Sequence, residues 1–126
     1  MKKVLLFFIV FLGLFLCACK PENDPAGTVR IVVRDEAGTV LCDVEIEFTK
    51  KDSLEALVVD HEEILAKGGR SQYGLFIEEM CGVEAPENHF WKIYVDGEDP
   101  MLGVSMIPLK DKSTVEFVLT PFEPFE

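Results

Sequence analysis

Residues 40 to 48 have an apolar side chain at every second position, and this pattern constrains the fold more than any other in the chain. Three of the four intervening residues carry a carboxylate. A two-residue period is that of a strand with one buried and one solvated face. Thr28 to Arg34 alternates in the same way, and Asp35 to Gly38 between the two runs is a turn. The pattern predicts an antiparallel hairpin that buries one face.

The remaining segments indicate further strands and one helix. Asp52 or Ser53 can cap a helix in which Leu54, Leu57 and Val58 share a face, and the two glycines after residue 67 end the helical region. Strands are predicted at Tyr73–Met80, Phe90–Val95 and Val115–Leu119, with a further short strand at Gly103–Ile107. One helix among about six strands predicts an α+β fold.

The N-terminus has the pattern of an export signal. Lys2 and Lys3 precede an unbroken apolar run, which is shorter than the roughly 20 residues needed to span a bilayer. The run closes on LCAC, which resembles the bacterial lipobox and predicts cleavage before Cys19 with a lipid on its thiol. Residues 1–18 are therefore interpreted as a lipoprotein signal peptide and 19–27 as a lipidated polar tether. An ordinary secretory signal without lipid is the alternative.

The charge balance excludes one class of partner. The chain has 12 Lys and Arg against 23 Asp and Glu, a formal net charge of −11. Nucleic-acid phosphates would repel such a chain. An anionic membrane surface would repel it as well, so that a lipid must provide the anchoring.

Two cysteines lie in the body of the chain, at Cys42 and Cys81. Outside the cytoplasm such a pair can form a disulfide, although sequence does not show the geometry that a bridge needs. The alternative is two small buried apolar side chains. Zinc ligation is not indicated, because the chain has no Cys-x-x-Cys or His-x-x-x-His spacing.

An acidic cluster at Asp96, Glu98 and Asp99 is the candidate metal site. Glu84 and Glu87 in the preceding connection could add oxygen ligands for a hard cation such as calcium. The spacing is not that of a calcium-binding loop, and solvated turn residues are the alternative. No nucleophile frame or phosphate loop is present, so the chain is predicted not to be an enzyme.

The segment from Phe90 to Gly103 is the candidate ligand-binding region. It contains the only tryptophan, Trp91, followed by Tyr94, an Asp-Gly turn and an apolar tip of Pro100, Met101, Leu102 and Gly103. A tryptophan on a strand usually belongs to a core. The tip, between two glycines, need not be buried, which favours a binding edge.

From Asp52 to Leu119 the order of features resembles the transcobalamin C-terminal-like domain family. The resemblance rests on the helix SLEAL, the strand YGLFIEEMCGV, the tryptophan strand FWKIYVDG, the tip DPMLGVS and the closing PLKDKSTVEFVL. It implies a β-grasp-like curved sheet with an N-terminal hairpin and one helix. The domain is predicted to span residues 28–122, with 123–126 as a tail.

The resemblance also implies a ligand. In vertebrate carriers this domain covers one face of cobalamin, so Trp91 and residues 100–103 match positions that would approach a corrinoid. The helical partner domain of those carriers is absent from this sequence. The resulting hypothesis is a non-enzymatic ligand-binding module, lipid-anchored on the outer face of the bacterial cytoplasmic membrane. A metal-binding surface lipoprotein and a protein or cell-wall interaction module are the alternatives.

Overall fold

The computed structural model describes residues 22–123. The predicted signal peptide, Cys19 and residues 124–126 of the predicted tail lie outside this range. The elements in chain order are β1 (Ala26–Arg34), β2 (Val40–Thr49), α1 (Leu54–Asp60), β3 (Lys67–Ser71), β4 (Gly74–Met80), β5 (Val83–Glu84), β6 (His89–Val95) and β7 (Thr114–Pro121). Between residues 22 and 123 no helix has the length and apolarity needed to cross a membrane.

The predicted N-terminal hairpin is confirmed. β1 and β2 pair antiparallel, with Val29 opposite Ile46, and a bulge follows Val33. On the other face Arg30 makes a bidentate ion pair with Asp43, with nitrogen–oxygen distances of 2.6 and 2.9 Å. The apolar face of β1 is buried, as the two-residue period predicts, but Val32 on the face of Arg30 is buried as well, so that this face is not fully solvated.

The hairpin forms half of a four-stranded sheet with the order β2-β1-β7-β6. β1 and β7 run parallel in its centre, with Ile31 opposite Val115. β6 pairs antiparallel with β7, and Trp91 faces Leu119 across that pair. Between residues 22 and 123 this mixed, curved sheet is accompanied by one short helix, which confirms the predicted α+β, β-grasp-like class.

Helix α1 begins where the sequence predicts. The Ser53 hydroxyl accepts a hydrogen bond from the Ala56 amide at 3.1 Å, which caps the first turn. Leu54 and Val58 are buried, so the helix packs one face on the core. The helix ends at Asp60, and His61 to Ala66 form turns instead of a continuation.

A second sheet of three strands, β3-β4-β5, differs from the prediction. The Gly68-Gly69 pair ends the helical region but also lies in strand β3, which pairs antiparallel with β4. Backbone hydrogen bonds to β4 hold this strand in place, although all of its side chains are exposed. The strand predicted at Gly103–Ile107 is wrong, because those residues form turns.

One core joins the two sheets and the helix. The residues at its centre are fully enclosed and come from both sheets, from α1 and from the segments that precede β3 and β7. They include Val29, Ile31, Val33, Leu54, Val58, Ile64, Met80, Leu109 and Phe117. The core therefore draws on almost the whole length between residues 29 and 119.

The second half of the predicted tether belongs to the domain. Asn23 accepts a hydrogen bond from the Leu109 amide and donates to the Asp52 carbonyl, at 2.8 and 2.5 Å. Asp24 accepts a bond from the Asp111 amide at 2.8 Å. Strand β1 starts at Ala26, two residues before the predicted domain boundary. Residues 23–27 are thus fixed to the loop before β7.

Candidate ligand-binding edge

The connection between β6 and β7 starts with the predicted tight turn. Asp96 and Gly97 both have positive φ, and Val95 and Glu98 exchange backbone hydrogen bonds across them. The Asp96 carboxylate accepts a bond from the Thr114 amide at 2.8 Å. The Asp99 carboxylate accepts one from the Met101 amide, also at 2.8 Å. The two side chains therefore stabilise local backbone at different points.

The apolar tip, residues 100–103, sits on a firmly anchored loop, and Met101 to Gly103 are its exposed part. Val104, Ile107 and Leu109 behind it are buried in the core. Met101 is 84% exposed and Leu102 is 43% exposed. The loop thus presents apolar side chains to solvent from a base that is packed in place.

A hollow of about 410 Å³ lies beside the apolar tip, between β4 and β6. This volume is within the range of small-molecule sites, about 300–1,000 Å³. Most of the lining is apolar, and Lys92 and Asp99 supply its charged groups. The lining residues are Leu75, Phe76, Ile77, Phe90, Trp91, Lys92, Ile93, Asp99, Met101, Leu102, Gly103 and Val104.

Trp91 lines this hollow and also belongs to the buried core. Its side chain is 5% exposed, and its indole N–H donates to the Glu78 carbonyl at 3.3 Å. That bond joins β6 of the large sheet to β4 of the small sheet. The ring is therefore mainly structural and offers the hollow only a small part of its surface.

A second hollow also borders the apolar tip. It measures about 690 Å³ and is lined by the tip, by the β3–β4 turn and by Ser105 and Met106. Tyr73 and Phe76 among its lining residues are exposed, as is Met106. The tip therefore borders two neighbouring hollows, and Leu75 and Phe76 line both of them.

Ser105 joins the loop of the apolar tip to strand β4 and helix α1. Its hydroxyl accepts a hydrogen bond from the Leu75 amide at 2.9 Å and donates to Glu55 at 2.5 Å. Glu55 also accepts two bonds from the Arg70 guanidinium, at 2.6 and 3.2 Å. Helix α1, strand β3 and the loop behind the tip thus meet at one carboxylate.

This carboxylate should make stability depend on pH. The Arg70 guanidinium, and after it the Ser105 hydroxyl, hold the pKa of Glu55 below its ordinary value of 4.5. Because the pKa is lower in the folded state, the stabilisation is present above pH 4.5 and is lost as the pH falls through the folded-state pKa. We expect urea midpoints of Glu55→Gln to fall less than wild-type midpoints between neutral pH and about pH 3.

The effect should be modest, because the Arg70 side chain is 66% exposed and solvent screens the pair. Arg70→Gln is the matched variant. It removes the first cause of the lowered pKa and should also flatten the acid limb. Identical pH profiles for Glu55→Gln and wild type would contradict this role.

Not all predicted site residues meet at the hollow. Trp91, Met101, Leu102 and Gly103 line it, whereas Tyr94 and Pro100 do not. Tyr94 instead lies under the Lys92 ammonium, which is 5.3 Å from the ring centre. The sequence interpretation missed Phe76, which lies on β4 and is 51% exposed. The turn signal Gln72-Tyr73-Gly74 and strand alternation could have placed it on the outer face.

The predicted metal site does not assemble. Across residues 22–123 no three His, Cys, Asp or Glu side chains converge to hold a metal ion. The carboxylates of Asp96 and Asp99 bond to different backbone amides, so that Asp96, Glu98 and Asp99 do not point to a common centre. Turn formation accounts for this acidic cluster.

A comparison with protein families identifies the family of this chain. A family model described as "Domain of unknown function (DUF4430)" matches residues 52–120, more than half of the chain. The protein therefore belongs to the DUF4430 family. No curated protein matches the chain.

Solved structures share the fold. A protein from Ruminococcus gnavus ATCC 29149, provisionally described as metal-binding, has 21% identity and a TM-score of 0.59, over 77% of this chain and 99% of its own. Haptocorrin in complex with Cbi has 14% identity and a TM-score of 0.63, over 84% of this chain and 28% of its own. This chain thus spans little more than a quarter of haptocorrin.

These likenesses support the transcobalamin C-terminal-like fold. At such identities they concern the fold alone, since one fold hosts many functions. One neighbour is described as metal-binding and the other was solved in complex with Cbi. What this chain shares with both is the fold.

Proposed function

We propose that this protein is a non-enzymatic binding module of the bacterial cell envelope, and that the apolar tip and its neighbouring hollow hold a corrinoid. The observation that carries the proposal is the exposure of Met101 and Leu102 on a loop whose base is buried. Apolar surface removed from water stabilises a complex by about 25 cal/mol per Å². A loop already held in place loses little conformational entropy on binding.

The geometry suits a broad, flat ligand. The exposed tip and the two hollows that it borders can contact an extended face, and the hollow between β4 and β6 can take one projecting group. A corrinoid has such a face, and its polar edge could meet Lys92 and Asp99 at the rim. The family resemblance and the haptocorrin complex with Cbi support this choice of ligand.

The affinity should be limited. The apolar tip and its hollows would cover one face of a large ring, whereas tight small-molecule sites bury most of the ligand surface. We expect binding in the micromolar range, and tighter binding only where a second protein covers the other face. The proposed site needs no residue of this chain as a cobalt ligand.

Titration with cyanocobalamin tests the proposal. Because Trp91 is the only tryptophan and lines the hollow, its fluorescence should change on binding together with the corrinoid absorbance. Free tryptophan amide at equal absorbance corrects for light absorbed by the corrinoid. No change in either signal up to high micromolar ligand would refute the corrinoid assignment.

A matched pair of variants locates the site. Leu102→Asp places a charge in the hollow and should weaken binding at least tenfold. Val40→Asp introduces the same charge at a residue of similar exposure, 46% against 43%, that lies on β2 away from the hollow. It should bind as wild type does. Equal affinities for the two variants would place the ligand elsewhere.

We further propose that Cys19 carries the lipid anchor predicted from the LCAC pattern. Metabolic labelling with a fatty-acid analogue should mark the wild-type chain in the membrane fraction. Cys19→Ser should be unlabelled and released, and Cys17→Ser should remain labelled. Labelling of the Cys19→Ser chain would contradict the assignment.

A further inference from the structure

The two cysteines of the domain converge on the same short segment. Cys42 of β2 is 7% exposed, and its sulfur lies 3.9 Å from a carboxylate oxygen of Glu63. The Cys81 amide donates to the Ile64 carbonyl at 2.7 Å. The two thiols are free, and Cys81 packs against the buried cluster that contains Cys42.

Cys81 occupies an unusual place for its residue type. It forms, with Gly82, the two-residue turn between β4 and β5, and both residues have positive φ. Such turns favour Asn, Asp or Gly, which adopt this backbone at lower cost. Backbone preference therefore does not account for a cysteine here, whereas the meeting with Cys42 does.

Burial keeps these thiols from behaving as reactive or metal-binding groups. It raises the pKa of Cys81 to about 12 and also raises the pKa of Cys42. Because the thiolate is the reactive form, both groups are nearly inert at neutral pH once the domain is folded. Any oxidation must then occur while the chain is folding or transiently open.

We propose that Cys42 and Cys81 form an intramolecular disulfide when the chain folds in an oxidising compartment. One cysteine loses its proton to solvent, and its thiolate attacks a low-molecular-weight or enzyme-borne disulfide, which gives a mixed disulfide and releases one donor thiolate. The second cysteine likewise loses its proton and attacks the protein sulfur of the mixed disulfide, which releases the second donor thiolate. The protein gives up two electrons and two protons, and the donor disulfide becomes two thiols.

The bridge would link the two sheets at a second place. β2 and β6 are the two edges of the four-stranded sheet. At the β6 edge, Trp91 already holds β4 through its bond to Glu78. A bond from Cys42 to Cys81 would hold the end of β4 to the β2 edge. The small sheet, which forms one wall of the hollow, would then be fastened on both sides.

Refolding in a glutathione redox buffer tests the disulfide without any ligand. The full-length chain carrying Cys17→Ser and Cys19→Ser leaves only this pair. Refolded with oxidised glutathione, it should be a monomer that lacks two hydrogens by mass and has no titratable thiol after denaturation. The closed loop has roughly 40 residues, so the oxidised form should unfold roughly 10–25 °C above the reduced form.

Further Cys42→Ser and Cys81→Ser changes are the controls, each leaving one thiol that should stay free or carry glutathione. The comparison of oxidised and reduced forms of the same chain needs neither variant to be stable. Two free thiols after refolding, or a bridge found only between chains, would overturn the proposal. Oxidation with no rise in unfolding temperature would overturn its role in fastening the sheets.

Discussion

Trp91→Ala should lower the free energy of unfolding by about 3–5 kcal/mol, as the removal of a buried aromatic side chain usually does. The change leaves a cavity between the two sheets, because only 5% of the tryptophan side chain is exposed. It also leaves the Glu78 carbonyl without its indole donor. Urea unfolding followed by far-ultraviolet circular dichroism measures the loss, since the variant has no tryptophan fluorescence.

Lys92→Ala is the neighbouring control on the same strand. Its side chain is partly exposed, and its replacement should change stability by no more than about 0.5 kcal/mol. A loss below about 1 kcal/mol for Trp91→Ala would mean that the ring is not a core residue. Its role would then be confined to the hollow.

Gly68→Ala should disrupt the pairing of β3 with β4 at a cost of about 1–3 kcal/mol. A Cβ atom at residue 68 would lie 1.8 Å from the Phe76 carbonyl oxygen. The obstacle is backbone, so a side-chain rotation does not relieve it and the strands must separate. Amide hydrogen exchange should therefore accelerate in β3 and in the facing part of β4.

Gly69→Ala is the matched control, one residue further along the same strand. Nothing lies within 4 Å of a Cβ atom at residue 69. The same change of residue type should then leave exchange and stability close to wild type. Equal effects of the two substitutions would show that the loss reflects glycine content and not the close approach at residue 68.

The larger sheet was predictable because its strands carry one clear period. β1 and β2 alternate between apolar and charged residues, and the short turn between them allows only a hairpin. In β7 the side chains alternate between buried and partly buried, whereas β6 is apolar or aromatic on both faces except at Lys92. The pairing partners of these two strands were not predictable from the period, since hydrophobic alternation specifies a face and not a neighbour.

Strand β4 of the small sheet lies where a strand was predicted, whereas β3 was missed for a physical reason. Backbone hydrogen bonds hold β3 in place, and its residues Lys67 to Ser71 contribute no buried side chain. A glycine pair usually marks a break, whereas here Gly68 is needed for close contact with β4. The segment 103–107, wrongly predicted as a strand, is the opposite case: it has buried side chains but no strand pairing. Val104 and Ile107 are buried anchors of a turn, three residues apart.

The candidate site was predictable in part. The position of the apolar tip followed from residues 100–103, because two glycines bracket an apolar run that no strand partner claims. The opposite wall did not, since Phe76 comes from a different sheet and its exposure depends on how that sheet packs. The metal hypothesis rested on the carboxylates of the acidic turn. The sequence does not show that two of them, Asp96 and Asp99, accept hydrogen bonds from backbone amides.

The parallel pairing of β1 with β7 has a consequence for the order of events during biosynthesis. The central ladder of the sheet joins residues near the start of the domain to residues near its end, as Ile31 and Val115 illustrate. Such distant contacts form late and slow the folding reaction. A nascent chain that still lacks β7 has no partner for the inner edge of its hairpin. The domain therefore acquires its native sheet only after almost all of it has left the ribosome.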